Sequence, residues 1–312
     1  MKKDSKIFIA GHKGMVGSAI VRELEAQGYS NIITKARTEL DLLSQQAIAD
    51  FFAREKPQFV FLAAAKVGGI EANRSQLADF TYENLQIQNN IIHSSYINGV
   101  ERLIFLGSSC IYPRLAAQPI KEEYLLTGPL EPTNYGYAIA KIAGVKMCDA
   151  YRAQYGCDFV PLMPTNLYGI NDNFNLTTSH VLPALMRKFH EAKLRNDPSV
   201  EVWGTGTPKR ELLFVDDLAK ACVFVMNNKN VSGLTNIGTG EDATIAELAT
   251  LVKKTVGFKG EIRFDSSKPD GAPRKVLDVS KINALGWKAT TSLEEGLALV
   301  YDWYKNNTTD KI

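Results

Sequence analysis

At 312 residues, 45% hydrophobic and 22% charged, the chain is long enough for about two ordinary domains with a substantial core, and its composition excludes disorder over most of its length. Basic residues number 36 and acidic residues 34, leaving a formal charge of +2. That balance excludes a broad electrostatic footprint for nucleic acid, so any anion must be met by local basic groups.

No apolar run reaches the ~18 residues of a membrane span, and Met1-Lys2-Lys3-Asp4-Ser5 leads straight into a short strand pattern rather than a signal-peptide core. The expectation is a cytoplasmic protein with no membrane partner. Cysteines at 110, 148, 157 and 222 form no CxxC pair and have no histidines at zinc-site spacing, so neither a disulfide framework nor a metal site is expected. Cys148 and Cys222 read as small buried hydrophobes.

Lys6-Ile7-Phe8-Ile9-Ala10 is a short apolar run that stops at Gly11-His12-Lys13-Gly14-Met15-Val16-Gly17, after which Ser18 to Gln27 reads as a helix. Strand, glycine turn and helix in that order mark a dinucleotide site. The glycines permit a tight turn, close approach of backbone to phosphate and close packing of helix on strand, with free amides facing the anion. Ile32-Ile33-Thr34 is a second strand. An NAD site wants a carboxylate at its end, yet Lys35 and Arg37 stand there, with Glu39 and Asp41 later. Together with Lys13 this favours a 2′-phosphate and hence NADP, the other reading being ordinary surface cations.

Phe59-Val60-Phe61-Leu62-Ala63 is a third strand, and Ala64 to Gly69 supplies small residues against which a cofactor can lie. Thr81 to Asn98 reads as a long helix buried on more than one side, and Arg102-Leu103-Ile104-Phe105-Leu106 as a fourth strand. The alternation predicts an α/β fold: a Rossmann-type doubly wound parallel sheet whose ligands gather at the strands' carboxyl ends.

Gly107-Ser108-Ser109-Cys110-Ile111-Tyr112-Pro113 follows at once. On an extended backbone Ser108 and Cys110 point to one side, where a hydroxyl donates to a carbonyl and a thiol exchanges a proton with the adjacent carbon. The other reading is a turn serine and a small buried cysteine. Pro132-Thr133-Asn134 starts a helix that continues to Tyr155 and carries Tyr137 and Lys141 on one face. A lysine charge beside a phenol favours the phenolate and makes a proton donor or acceptor for carbonyl–alcohol interconversion. Outside such a site the same pair is a snorkelling lysine beside a half-buried ring.

Phe159 to Met163 is the next strand, and the polar, asparagine-rich stretch 170–178 reads as a binding loop or domain exit. His180-Val181-Leu182-Pro183 opens an amphipathic helix carrying Arg187 and Lys188. Trp203-Gly204-Thr205-Gly206 is a turn with an aromatic face near Lys209 and Arg210, and these groups can hold a diphosphate and a base. Leu212 to Asp217 revisits the first domain. Residues 243–258, 261–264 and 293–304 form a smaller α/β remainder, and 305–312 read as a solvated tail. The expected division is an NADP-binding Rossmann domain over 1–169, with a return segment near 212–240, and a smaller C-terminal α/β domain over 170–312 that mainly binds substrate.

With the glycine loop, Ser108 and Tyr137-x-x-x-Lys141 in this order, the chain resembles the extended short-chain dehydrogenase/reductase superfamily over its full length. The segments Ala10 to Gly17, Leu62 to Gly69, Gly107 to Pro113, Met163-Pro164-Thr165-Asn166-Leu167-Tyr168-Gly169 and Lys268-Pro269-Asp270-Gly271 narrow the resemblance to its GDP-4-keto-6-deoxy-sugar epimerase/reductases. The resemblance implies a GDP-sugar substrate that is epimerised at C3 and C5 and then reduced at C4 with NADPH. It implies that Tyr137 protonates the C4 oxygen, that Lys141 holds the nicotinamide ribose and tunes Tyr137, and that Ser108 hydrogen-bonds the carbonyl. Cys110 and His180 match the acid/base pair of the epimerisation.

By the same resemblance the cofactor meets Gly11, Lys13, Gly14, Met15, Val16 and Gly17, then Arg37, Asp41 and Leu42 at its adenosine end. Leu106, Ser108, Lys141, Pro164, Asn166, Leu167 and His180 complete its site. Lys188, Trp203, Arg210 and Asp270 hold the GDP-sugar, and a homodimer forms through helices that include the Tyr137 helix. Lys13 departs from the arginine common at its position, keeping the charge without bidentate geometry. Two other readings stand beside this one. A 4-epimerase or 4,6-dehydratase with retained NAD calls for a carboxylate after the second strand and, for the dehydratase, an acidic pair where Ser109-Cys110 stand; a non-catalytic nucleotide sensor calls for loss of Tyr137 or Lys141.

Overall fold

The structure is a computed structural model that describes residues 1–176, 178–268 and 270–307. In chain order the first half runs β1 (Ile7–Ala10), α1 (Met15–Ala26), β2 (Ile32–Thr34), α2 (Gln45–Glu55), β3 (Phe59–Leu62), α3 (Ile70–Ser75), α4 (Leu77–Ile97), β4 (Arg102–Leu106), α5 (Tyr135–Tyr155) and β5 (Phe159–Pro164). The second half adds β6 (Asn166–Tyr168), α6 (Val181–Arg195), β7 (Ser199–Trp203), β8 (Lys209–Arg210), β9 (Leu212–Phe214), α7 (Val215–Asn227) and β10 (Thr235–Ile237). It closes with β11 (Ala243–Thr244), α8 (Ile245–Val256), β12 (Glu261–Asp265), β13 (Arg274–Lys275), α9 (Ser280–Ala284) and α10 (Leu293–Asn307).

Six strands form one parallel sheet in the order β10-β5-β4-β3-β1-β2. β1, β3, β4 and β5 are buried at every position, as a sheet covered on both faces requires. α1 packs with α7, while α2, α4 and α5 pack together. The chain leaves β1 for β2 on one side and returns to β3 on the other, so a crevice opens at the carboxyl ends of β1 and β3. β10 joins this sheet beside β5 although it lies far along the chain.

A second apolar core gathers Leu182, Met186 and Phe189 of α6, Leu248 and Val252 of α8, and Leu297 and Val300 of α10. Short strand sets surround it: β7 pairs with β12, β6 with β9, and β8 lies between β11 and β13.

Several boundaries differ from the sequence expectation. The first helix begins at Met15 rather than Ser18, because Gly17 lies inside its first turn against the Gly11 carbonyl: a Cβ there would come within 2.1 Å of that oxygen. The long helix expected from Thr81 starts at Leu77. The expected solvated tail begins inside α10, which continues through Asn307, and its remaining residues, 308–312, lie outside the described residues.

Candidate active site

The crevice begins at the glycine loop. Gly11 sits at φ 92°, a left-handed conformation, and a Cβ on it would lie 2.7 Å from the Ala64 amide nitrogen; only glycine permits this turn beside β3. Gly14 caps α1 in an extended conformation with no side chain bonded to the helix end and no acidic residue in its first turn. Those free amides and the helix dipole suit a diphosphate, so the residues present fit a dinucleotide.

Past β2, Arg37 is exposed, while Lys35 lies 3.7 Å from Glu39. Glu39 also accepts the Ala36 amide at 2.8 Å, and that bond, the largest influence, holds its carboxyl below the usual range. The carboxylate is thus engaged within its own turn, and Arg37 and Lys13 both stand exposed beside it. Asp41 accepts the Leu43 amide at 3.1 Å, and the Leu42 carbonyl accepts from Asn90 at 2.9 Å, which fixes the loop they share.

The carboxyl end of β4 gathers Ser108, Cys110 and Tyr137. Ser108 is extended at φ −159°, but Ser109–Ile111 wind into one 3-10 turn, so the extended run expected through Cys110 is not formed. The turn still brings the two together, because the Ser108 hydroxyl oxygen accepts the Cys110 amide at 3.3 Å. Ser108 also hydrogen-bonds the Tyr137 hydroxyl, and the Cys110 sulfur lies close enough to oppose ionisation of the phenol.

Lys141 projects from the next turn of α5 and is 3% exposed. Its ammonium donates to the Leu106 carbonyl at 2.8 Å and lies 4.9 Å from the Phe105 ring centre and 5.8 Å from that of Tyr137. Burial pushes Lys141 down to about 7. The expectation that Lys141 lowers the Tyr137 pKa is therefore corrected for the protein alone: burial raises the phenol first, Cys110 adds to that, and the Ser108 bond opposes it. The lysine is turned to a carbonyl, and desolvation outweighs its charge.

His180 caps α6, its side chain making no capping bond. The residue as a whole is exposed, while desolvation of the imidazole, and next the Lys275 ammonium, hold its pKa below the ordinary value. The Gly69 amide donates to the Thr178 carbonyl at 2.9 Å, tying the loop after β3 to the segment leading into His180.

Lys275 is the neighbour of the site that sequence reasoning missed. It donates to the Cys110 sulfur at 3.5 Å across 165 residues of sequence. Strand β13 carries it, with Lys275 in register with Arg210 of β8. Buried Glu211 locks this pairing: its backbone amide donates to the Lys275 carbonyl at 3.2 Å, and its carboxylate accepts the amides of Leu277 at 2.8 Å, Thr239 at 2.7 Å and Gly240 at 2.8 Å.

Farther out, Lys188, Trp203, Arg210 and Asp270 line one wall. Trp203, 61% exposed, has the Lys188 ammonium 5.3 Å and the Lys268 ammonium 5.6 Å from its ring centre. Asp270 accepts the Thr205 amide at 2.7 Å and hydroxyl at 2.9 Å, just past the tryptophan. Arg210 donates to the Ala272 carbonyl at 2.6 Å, and burial lowers its pKa while Asp270 opposes the shift. Pro269, of the expected motif, lies outside the described residues. Asn166 of β6 donates to the Glu211 carbonyl at 3.0 Å, so the Pro164-to-Leu167 segment and the β8–β9 region share one frame. Among the described residues no group of three His, Cys, Asp or Glu could hold a metal ion, and no helix is long and apolar enough to cross a membrane.

The chain is similar to proteins of known type along its whole length. It is 58% identical over 309 residues to GDP-L-fucose synthase 1 of Arabidopsis thaliana, covering 99% of this chain and 96% of that one. To GDP-L-fucose synthase of Escherichia coli (strain K12) it is 55% identical over 311 residues, covering 97% of each. Its fold is similar to the solved structure of a GDP-mannoheptose C4 reductase from Campylobacter jejuni with NADP bound, at TM-score 0.90 and 47% identity, covering 98% of this chain and 99% of that one. The profile of the NAD dependent epimerase/dehydratase family matches residues 7–238. With a glycine loop feeding an uncapped helix, and Tyr137, Lys141 and Ser108 converging at the end of β4 of a parallel sheet, the chain belongs to the NAD dependent epimerase/dehydratase family.

Proposed function

We propose that this chain is an NADP-dependent epimerase/reductase that converts GDP-4-keto-6-deoxy-D-mannose to GDP-L-fucose. The observation that carries this reading is the meeting of two kinds of chemistry on Ser108: its hydroxyl touches the Tyr137 phenol and accepts the amide of Cys110. A reductase needs the phenol; a thiol acting at the flanking carbons adds the inversion. Full-length identity of 55% to a GDP-L-fucose synthase supports the same substrate.

Gly11 to Gly17 hold the cofactor's diphosphate, Lys13 and Arg37 its 2′-phosphate, and the β3 and β5 ends its nicotinamide half. Bound NADPH supplies the hydride for C4. Ser108 and Tyr137 grip the C4 oxygen, which acidifies the hydrogens at C3 and C5. Cys110 and His180 move those protons, one removing and the other returning on the opposite face. Tyr137, whose burial keeps it protonated, then delivers its proton to the C4 oxygen as the alcohol forms. Lys188, Trp203, Arg210 and Asp270 hold the GDP portion. The protein works as a cytoplasmic homodimer: the apolar groove along α4 and α5, lined by Leu77, Tyr82, Leu85 and Tyr135, supports a second copy there, with Tyr82 63% and Tyr135 55% exposed. Sedimentation at twice the monomer mass is the expected outcome.

Incubating the protein with GDP-4-keto-6-deoxy-D-mannose in deuterated water without NADPH tests the epimerase half. Deuterium is expected at C3 and C5. A protein that reduces C4 with NADPH yet labels neither carbon would be a C4 reductase only, the activity named for the Campylobacter structure.

A further inference from the structure

Lys275 is placed where neither reduction nor cofactor binding requires a cation. Its ammonium contacts the Cys110 sulfur at 3.5 Å and bears on His180 from the same position. It reaches there from a two-residue strand pinned by the Glu211 carboxylate and by the Gln118 side chain, which accepts the Val276 amide at 2.9 Å. Pinning a half-buried lysine against a thiol costs side-chain freedom, and the contact gains most when the sulfur is negative.

We infer that Lys275 is the positioning residue of the epimerising pair, its ammonium holding the Cys110 sulfur in place at the site that His180 shares. The inference rests on the epimerase reading above. When the thiolate removes the proton from C3 or C5, the C–H bond breaks and an S–H bond forms, with the electron pair left on the C4 enolate. When protonated His180 answers from the other face, its N–H bond breaks and a C–H bond forms. An imidazolium crowded by a neighbouring ammonium is a stronger acid and surrenders that proton more readily. Solvent then returns the proton from sulfur to imidazole before the second carbon reacts. Among the described residues, Tyr137 from α5 bears on Cys110 and Lys275 on His180, while Lys141 is turned to the Leu106 carbonyl.

The test compares the wild type with Lys275→Met and Lys275→Arg in two measurements. One is deuterium wash-in at C3 and C5 from pH 6 to 9, a range of about three units spanning the ordinary His and Cys values. The other is the rate at which iodoacetamide alkylates Cys110 over the same range, with no substrate present. Lys275→Met is expected to slow wash-in about tenfold or more at neutral pH, the scale of a lost charge-assisted bond, and to move the rise of both profiles to higher pH. Lys275→Arg restores the position of both profiles, and NADPH binds all three proteins with similar affinity. Profiles of unchanged position in Lys275→Met, or an arginine variant no better than the methionine one, would overturn the inference. A wild type that washes in no deuterium sinks the epimerase reading instead, and the alkylation profiles then decide whether Lys275 tunes the thiol.

Discussion

Tyr137 and Lys141 divide their work more sharply than their shared helix face implies. The phenol is kept protonated by burial, and the ammonium is buried against the Leu106 carbonyl with its pKa lowered to about 7. Tyr137→Phe is expected to reduce NADPH consumption by about 10²–10⁴-fold, followed by nicotinamide absorbance, while deuterium wash-in at C3 and C5 persists. Equal loss of both activities would contradict the separate assignment of Cys110.

Lys141 also sets a pH signature in the cofactor-free protein. Its folded pKa lies below its unfolded value, so the unfolded chain holds the extra proton between about 7 and 10.5 and folding stability from this group rises with pH across that window. The difference in stability between wild type and Lys141→Met, measured by urea unfolding, is expected to move in favour of wild type as pH is raised from neutral through this window.

At the scale of elements, the glycine loop makes two different demands. Gly17 has no room: a Cβ there would press on the Gly11 carbonyl at 2.1 Å, a backbone atom that cannot rotate away. A Cβ on Gly14 would make only an ordinary contact, 3.5 Å from the Gly11 carbonyl oxygen, and Gly14 caps α1 with no side chain on the free amides, where the proposed function puts the diphosphate. Gly17→Ala is therefore expected to lower stability by about 1–3 kcal/mol, read from thermal unfolding, whereas Gly14→Ala keeps the melting temperature and weakens NADPH binding.

This contrast marks what is legible in the sequence. Strands such as Ile7–Ala10 and Arg102–Leu106 are continuous apolar runs because the sheet is covered on both faces, so their boundaries are readable to within a residue. The turn at Ser109–Ile111 leaves no period, and the contact it makes possible depends on β8 and β13, two residues each, meeting from distant parts of the chain. Lys275 carries no sequence signal because the pairing that positions it is set by a buried carboxylate rather than by its own neighbours.

For the whole molecule, Glu211 joins the parts. It is fully buried, and its carboxylate gathers the amides that follow β10 and β13 while its backbone braces the Lys275 strand. Glu211→Gln places an amide donor against backbone donors. Alongside a lower melting temperature, it is expected to depress wash-in at C3 and C5 more than NADPH affinity, since the glycine loop lies on other elements. An unaltered exchange rate in a folded Glu211→Gln protein would detach the brace from the chemistry.

The Ser108 hydroxyl, touching both the Cys110 amide and the Tyr137 phenol, has a temporal meaning as well as a spatial one. The same oxygen of the substrate must be a ketone for its neighbours to lose protons and becomes an alcohol once Tyr137 has acted. Reduction thus works as a one-way latch: each molecule that passes it is stereochemically frozen, and any left unreduced stays free to scramble. With cofactor scarce the protein would act as an isomerase that equilibrates the ketone's stereoisomers, and with cofactor plentiful it would draw that mixture into whichever isomer the latch accepts.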